Sequence, residues 1–109
     1  MPGTELFGNE ERKEINDVLE TGMLFRYNNE QQRNGIWKAR DFEAEVRKIT
    51  GAKYAHAVSN GSAAIAIALA AAGIGAGDEV ICPPFTFIAS VEAVLWVGAI
   101  PVFAEIDET

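Results

Sequence analysis

Cysteine and histidine are nearly absent from this sequence, and their scarcity excludes two kinds of site. The 109 residues contain one cysteine, Cys82, and one histidine, His56. A single cysteine cannot form an intrachain disulfide, which fits a reducing compartment, and we predict a cytoplasmic location. One histidine supports neither a Cys/His metal site nor a Ser-His-Asp triad, so we predict no metal ligands.

Basic residues are missing from the second half of the chain, where no lysine or arginine follows Lys53. The whole chain carries 16 acidic and 9 basic residues, which gives a formal net charge of −7. This balance argues against nucleic acid as a partner, although a local site can still hold an anion. Long apolar runs are missing too. The apolar stretch 63–72 is too short to span roughly 30 Å of hydrocarbon, so we predict no membrane partner.

Apolar residues at helical spacing predict an N-terminal helical segment over residues 1–53. One apolar stripe predicts a helix that begins near Asn9 and ends at Gly22. A second stripe predicts a helix over residues 37–50, and a glycine follows it. The stretch 23–35 shows no period and is predicted to be a loop.

The second half, residues 54–109, alternates between short strand-like and longer apolar helical segments. It predicts strand 54–58, helix 62–72, strand 79–82, helix 87–97 and strand 100–106. Such alternation is typical of an α/β fold with three α-β-α layers and a mostly parallel sheet. The helices are apolar almost all round, which predicts that they are deeply packed. The chain stops just after a strand, so we expect it to be the front portion of a longer domain.

The first candidate site is the turn Ser59-Asn60-Gly61-Ser62-Ala63-Ala64, which joins the first predicted strand to a helix. Free N–H groups and the positive end of the helix dipole would meet there, and Gly61 would let a ligand approach the backbone. Together with the hydroxyl groups of Ser59 and Ser62 they would form a phosphate cup. The alternative is an ordinary helix cap, in which Asn60 or Ser59 satisfies the helix end and nothing binds.

The second candidate site is the strand-to-helix turn at residues 83–90, which contains Phe85 and Phe87. In a parallel sheet it would emerge at the same edge as the first turn, where ligands collect. The two aromatic rings could stack on a planar ligand. Alternatively, they only cover the end of the sheet, as most aromatic side chains do.

These motifs resemble the DegT/DnrJ/EryC1/StrS family of sugar aminotransferases, which are fold type I enzymes that use pyridoxal 5'-phosphate. The resemblance is carried by residues 59–107, in the order Gly-Ser-Ala-Ala, Gly-x-Gly-x-Gly-Asp-Glu-Val, Pro-x-x-Thr-Phe and Gly-Ala-x-Pro-Val-Phe. The segments GTELFGNEE, FRYN and RNGIWKARDFE look closer to one subgroup. Its members install the 8-amino group of a Kdo-type octulosonate sugar (Kdo8N) of lipopolysaccharide.

The resemblance implies roles for individual residues. Gly61, Ser62 and Ala63 match the segment that holds the cofactor phosphate, and Phe87 matches the aromatic that stacks on the pyridine ring. The family's covalent lysine comes later than Thr109, so we assign no catalytic residue. The chain would be the front part of the cofactor-binding large domain and inactive alone.

The resemblance also implies a reaction and an assembly. An amino group, expected to come from glutamate, would pass to a keto-sugar in cell-surface polysaccharide or lipopolysaccharide biosynthesis, and the full protein would be a homodimer. A sugar dehydratase of the same family, in which histidine replaces the lysine, stays open. A non-catalytic α/β module for a phosphorylated ligand and an alanine-rich structural domain also stay open.

Overall fold

The structure is a computed structural model that describes residues 3–107. The chain divides into two compact units, Met1–Ala57 and Val58–Thr109. The N-terminal unit contains a 3-10 turn, Thr4–Leu6, followed by helices α1 Asn9–Thr21, α2 Glu30–Arg33 and α3 Lys38–Thr50. The C-terminal unit contains α4 Gly61–Ala71, β1 Glu79–Cys82, α5 Ala89–Trp96 and β2 Ile100–Phe103.

The N-terminal unit contains the two long helices that the apolar stripes predicted. Helix α1 begins after Gly8, whose N–H donates to the Glu11 carboxylate at 2.7 Å. Helices α1 and α3 both end at a left-handed glycine, Gly22 at φ 66° and Gly51 at φ 71°. Residues with a Cβ adopt that conformation at a cost, so glycine is favoured at both helix ends.

A short helix, α2, lies in the stretch that was predicted to be a loop. Its last residue, Arg33, is buried although it carries a charge. The guanidinium donates to the carbonyl oxygens of Asn28 and Phe25, and it lies 4.2 Å from the centre of the Trp37 ring. These contacts compensate for the lost hydration of the guanidinium and fold the stretch around it.

The C-terminal unit confirms the predicted α/β class and the parallel pairing. Strands β1 and β2 run parallel, with Glu79 opposite Ile100 and Cys82 opposite Phe103. Helix α5 connects the strands and contacts both of them, and α4 packs against α5. The buried side chains of Cys82, Val94 and Ala99 form the centre of this unit. Around them pack the partly buried side chains of Leu69, Ile74, Val80 and Val97.

Three expectations about the C-terminal half were wrong. Residues 54–58 form no strand, because within residues 3–107 only β1 and β2 pair and a strand needs a neighbour for its backbone groups. The described order is therefore αβαβ rather than βαβαβ, and the last strand ends at Phe103 instead of at 106. Helix α4 has no buried residue, and Ile67 is 51% exposed, so it is not deeply packed in this structure.

None of the helices within residues 3–107 combines the length and the apolar character needed to cross a bilayer.

Candidate functional site

The turn at the start of α4 is a helix cap made by Asn60. Its backbone is extended, and its side-chain Oδ1 accepts a hydrogen bond from the Ala63 N–H at 2.9 Å. The amide Nδ2 of Asn60 donates to Ser59 Oγ at 3.2 Å, which fixes the orientation of the side chain. Asn60 therefore caps α4, as the capping interpretation expected, whereas binding of an anion at this turn stays a prediction. Capping uses only one of the N–H groups that a helix start leaves without an intrahelical acceptor.

The same turn keeps donors for a ligand after the cap has formed. Among residues 3–107, neither the Gly61 N–H nor the Ser62 N–H has a hydrogen-bond acceptor. Both lie at the positive end of the α4 dipole, beside the partly exposed Ser62 side chain. The donor set of Gly61 and Ser62 therefore fits a phosphate group. Ala63, the third predicted residue, donates to Asn60 instead.

Gly61 has neither a packing reason nor a backbone reason to be glycine. A Cβ built on it would meet no atom within 4 Å, and its φ lies outside the left-handed region. Alanine would therefore fit here in the absence of a ligand and would favour the helix by about 0.5–1 kcal/mol. Space left open at a helix N-terminus is what close approach of an anion requires.

Phe87 lies in the turn between β1 and α5, immediately before the N-cap residue Ile88. Its carbonyl accepts from the Ser90 N–H at 3.0 Å, while its side chain is 76% exposed. Neighbouring Phe85 is 88% exposed, so neither ring covers the sheet in this structure. A ring held by a fixed backbone and left open on the surface can stack on a planar ligand.

The predicted cofactor residues lie in one folded unit. Residues 61–63 form the first turn of α4, Phe87 precedes α5, and these two helices pack against each other. Whether the cup and the ring contact the same ligand stays a prediction. The capping alternative already named Asn60, because it stands directly before the predicted helix.

None of the four lysines is placed like a lysine that reacts with a cofactor. All four lie before the C-terminal unit. Lys38 pairs with Glu14 and Asp17, and these carboxylates raise its pKa, the opposite of what a reactive amine needs. The remaining three either pair with a carboxylate or lie over a tyrosine ring, and they are Lys13, Lys48 and Lys53.

The Glu43 side chain of α3 contacts His56 and Ala57, which precede this turn in the sequence. Its carboxylate pairs with Arg26 at 2.7 Å, accepts from the Ala57 N–H at 2.7 Å and lies 3.6 Å from His56 Nδ1. The Arg26 guanidinium first, and then the Ala57 N–H, lower the pKa of Glu43 from 4.5 to about 2. The Ala57 N–H thus bonds to a side chain, whereas the sequence predicted that it belonged to a strand. Nothing in the sequence pattern indicated this contact.

The lowered pKa of Glu43 predicts an acid-sensitive N-terminal unit. The stability that Glu43 contributes is complete above pH 4.5, and it is lost as the pH falls towards about 2, where the folded carboxylate takes up a proton. We expect Glu43→Gln to lower the melting temperature at pH 7 and to flatten its decline over this acidic range. Circular dichroism melting curves between pH 2 and pH 7 measure both effects.

Glu45→Gln is the matched control, because Glu45 lies on the same helix and forms an exposed pair with Lys48 at 3.4 Å. Exposed pairs of this kind contribute little to stability, so its pH profile should follow the unmodified protein. Equal slopes for both variants would contradict the role given to Glu43.

The Asn60 cap predicts a measurable loss of stability on its removal. We expect Asn60→Ala to lower the free energy of unfolding by about 1 kcal/mol, because the Ala63 N–H loses its acceptor. Asn60→Asp should retain most of the stability, since a carboxylate also caps a helix start. Urea denaturation measures both variants, and an alanine variant as stable as the unmodified protein would refute the cap.

Comparison with known proteins identifies the family of this chain. The model of the DegT/DnrJ/EryC1/StrS aminotransferase family matches residues 6–109, and the chain belongs to this family. The spore coat polysaccharide biosynthesis protein SpsC of Bacillus subtilis (strain 168) is 44% identical over 103 residues, 94% of this chain and 24% of SpsC. The GDP-perosamine synthase of Vibrio cholerae is 43% identical over 102 residues, 94% of this chain and 25% of the synthase.

Solved structures give the same result for the fold. An aminotransferase from Psychrobacter cryohalolentis superposes with a TM-score of 0.79 at 39% identity, over 94% of this chain and 24% of the other. NtdA from Bacillus subtilis with its bound cofactor PMP superposes with a TM-score of 0.74 at 32% identity, over 97% of this chain and 23% of the other. The chain thus spans about a quarter of the length of the relatives it matches.

Proposed function

We propose that this chain contributes two parts of the cofactor site of a pyridoxal 5'-phosphate-dependent sugar aminotransferase. These are the phosphate cup and the Phe87 ring that stacks on the cofactor. The observation that carries the proposal is the start of α4, where the Gly61 and Ser62 N–H groups have no acceptor among residues 3–107. Membership of the aminotransferase family and a similar structure that holds PMP support the same ligand.

Each proposed contact follows from the chemistry of the residue. The two N–H groups and the Ser62 hydroxyl donate hydrogen bonds to phosphate oxygens, and the α4 dipole favours their negative charge. The Phe87 ring stacks on the pyridine ring and fixes its plane. When bound, the cofactor supplies an electron sink for the transfer of an amino group. Ala63 supports the turn through its bond to Asn60.

The proposed substrates rest on the resemblance to the family, and the names of two relatives support the sugar. We assign glutamate as amino donor and a keto-sugar of cell-surface polysaccharide as acceptor, with the Kdo-type octulosonate of lipopolysaccharide as the more specific assignment. The names of the spore coat polysaccharide protein and GDP-perosamine synthase support a sugar pathway. We further propose a homodimer in the cytoplasm, a location that the free, buried Cys82 supports.

Binding without turnover is the expected behaviour of the 109 residues alone. The four lysines lie outside the C-terminal unit, and the resemblance to the family implies that its covalent lysine comes later than Thr109. A keto-sugar incubated with the chain, cofactor and glutamate should therefore remain unaminated. Amino-sugar formed above the level of a cofactor-only blank would show that these 109 residues catalyse the transfer, and the prediction would be wrong.

Equilibrium dialysis with pyridoxamine 5'-phosphate tests the proposal, because this form has no aldehyde and cannot react with surface lysines. We expect saturable binding, with pyridoxamine, which lacks the phosphate, bound roughly tenfold or more weakly. Adenosine monophosphate serves as the control for a generic phosphate site. Equal binding of pyridoxamine with and without phosphate, or tighter binding of the nucleotide, would contradict the proposal.

A further inference from the structure

Two asparagines of this chain stand directly before a glycine, at Asn34-Gly35 and at Asn60-Gly61. An asparagine in this position can lose its side-chain amide without an enzyme, because no Cβ shields the backbone nitrogen of the glycine that attacks it. Asparagine is for this reason one of the thermolabile residues of proteins. The dipeptide is the same at both places, so the folded structure decides which of the two reacts.

The Asn34-Gly35 pair is free to react. Asn34 is exposed, and within residues 3–107 its side-chain amide has no hydrogen-bond partner. Gly35 supplies the attacking nitrogen, and its N–H has no acceptor in the same range. A Cβ built on Gly35 would meet no atom within 4 Å, so the space around it is open. One backbone hydrogen bond spans the pair, from the Ile36 N–H to the Arg33 carbonyl at 2.8 Å.

Asn60, by contrast, is held by three hydrogen bonds. Its Oδ1 accepts from the Ala63 N–H at 2.9 Å, and its Nδ2 donates to Ser59 Oγ at 3.2 Å. Its backbone carbonyl accepts from the Ala64 N–H at 3.1 Å. Attack by the Gly61 nitrogen requires rotation of the Asn60 side chain and of the peptide plane that follows it. These bonds must break first, so the helix cap protects the amide.

We propose that Asn34 is a site of spontaneous deamidation in the folded protein, whereas Asn60 is protected by the cap that it forms. The Gly35 nitrogen gives its proton to solvent and bonds to Asn34 Cγ, the Cγ–Nδ2 bond breaks, and ammonia leaves. Water then opens the resulting succinimide ring. Cleavage of the new N–Cγ bond gives aspartate, and cleavage of the original peptide bond gives isoaspartate. Water is the co-reactant, and the reaction does not depend on the proposed aminotransferase function.

Isoaspartate at position 34 changes the turn that ends α2. The main chain then runs through the former side chain, which lengthens the backbone by a methylene group and adds a negative charge. The hydrogen bond from Ile36 to Arg33 cannot keep its geometry across the longer backbone. Arg33 is buried, and its guanidinium donates to two backbone carbonyl oxygens of the preceding stretch. We therefore expect the modified protein to be less stable.

Peptide mapping by mass spectrometry tests the proposal on the whole chain after storage at neutral pH and physiological temperature. Digestion at mildly acidic pH, where deamidation is slow, preserves the products. We expect the peptide with Asn34 to gain a carboxyl group roughly tenfold or more faster than the peptide with Asn60. Equal rates, or a faster reaction at Asn60, would overturn the proposal.

The same chain unfolded in guanidinium chloride is the control for the role of the structure. Its hydrogen bonds are lost there, so Asn60 should react nearly as fast as Asn34. A ratio of the two rates that stays as large as in the folded protein would mean that the neighbouring sequence selects Asn34. That result would refute protection by the cap.

Asn34→Gln and Asn29→Gln form a matched pair of variants. Both asparagines are exposed and left-handed, at φ 49° and φ 60°, but Asn29 precedes a glutamate instead of a glycine. An isoaspartate-specific methyltransferase detects the product by labelling it. Asn34→Gln should remove this label and Asn29→Gln should leave it unchanged. A label that persists in Asn34→Gln would place the reaction at another residue.

Urea denaturation tests the effect on the turn. Ion-exchange chromatography separates the modified protein by its added negative charge, and we expect it to unfold at a lower urea concentration than fresh protein. Asn34→Asp adds the charge without lengthening the backbone, so its midpoint should stay close to that of the unmodified protein. Equal midpoints for fresh and modified protein, or an equally low midpoint for Asn34→Asp, would contradict the role of the longer backbone.

Discussion

Replacing Gly61 and Ser62 together by alanine should lower the affinity for pyridoxamine 5'-phosphate by roughly 100-fold. The double variant loses the Ser62 hydroxyl donor, and the new Cβ at position 61 occupies space that the protein leaves open. The backbone N–H groups at both positions remain in the variant. The loss of affinity therefore reports how closely the phosphate approaches position 61 and how much the Ser62 hydroxyl contributes. Equilibrium dialysis measures the two dissociation constants.

Gly75→Ala is the matched control for this experiment. It adds the same methyl group to the same unit, where its Cβ would lie at an ordinary 3.8 Å from the Val97 carbonyl. We expect the double variant to melt no earlier than the unmodified protein and the control to bind the cofactor normally. A double variant that folds and binds unchanged would show that the phosphate lies elsewhere.

Val94→Ala should give the largest loss of stability of any conservative truncation in the C-terminal unit. Val94 is 1% exposed and belongs to one buried cluster with Cys82 and Ala99. Removing two methyl groups there costs the transfer free energy and leaves a cavity, about 2–3 kcal/mol in total. Single domains are stable by only about 5–15 kcal/mol, so urea denaturation should show a clear shift of the midpoint.

Leu95→Ala provides the comparison on the same helix. Leu95 is 56% exposed, so its truncation removes more atoms from the chain but far fewer from the core. We expect its unfolding midpoint to change much less than that of Val94→Ala. The reverse order would mean that the packing around α5 differs from the arrangement described here.

The regular elements could be predicted where a local rule decides them. Apolar spacing and terminal glycines placed α1 and α3 within a residue or two, and the buried-type run before Pro83 placed β1 at its observed bounds. The strand over 54–58 could not be predicted correctly, because strand formation depends on a pairing partner that the segment does not itself contain. The short helix that ends at Arg33 also could not be predicted from apolar spacing. It depends on contacts of the Arg33 side chain with the Asn28 carbonyl and the Trp37 ring.

The candidate site was predictable in part for the same reason. Gly61, Ser62 and Phe87 stand in a family motif, and the structure leaves two N–H groups and the Phe87 ring exposed, while their contact with the cofactor stays a prediction. The sequence alone left cap and cup as alternatives, whereas the geometry shows that the cap leaves two donors unused. The Glu43 contact to Ala57 joins residues fourteen positions apart, and no spacing rule connects them.

The central claim is that the α4 N-terminus and the Phe87 ring contact one and the same ligand. Nuclear magnetic resonance of labelled protein during a pyridoxamine 5'-phosphate titration tests it directly. The amide signals of Gly61 and Ser62 and the ring signals of Phe87 should shift with a single dissociation constant, and the ring should show Overhauser contacts to the pyridine protons. Amide shifts that saturate while the Phe87 signals stay unchanged would contradict the account.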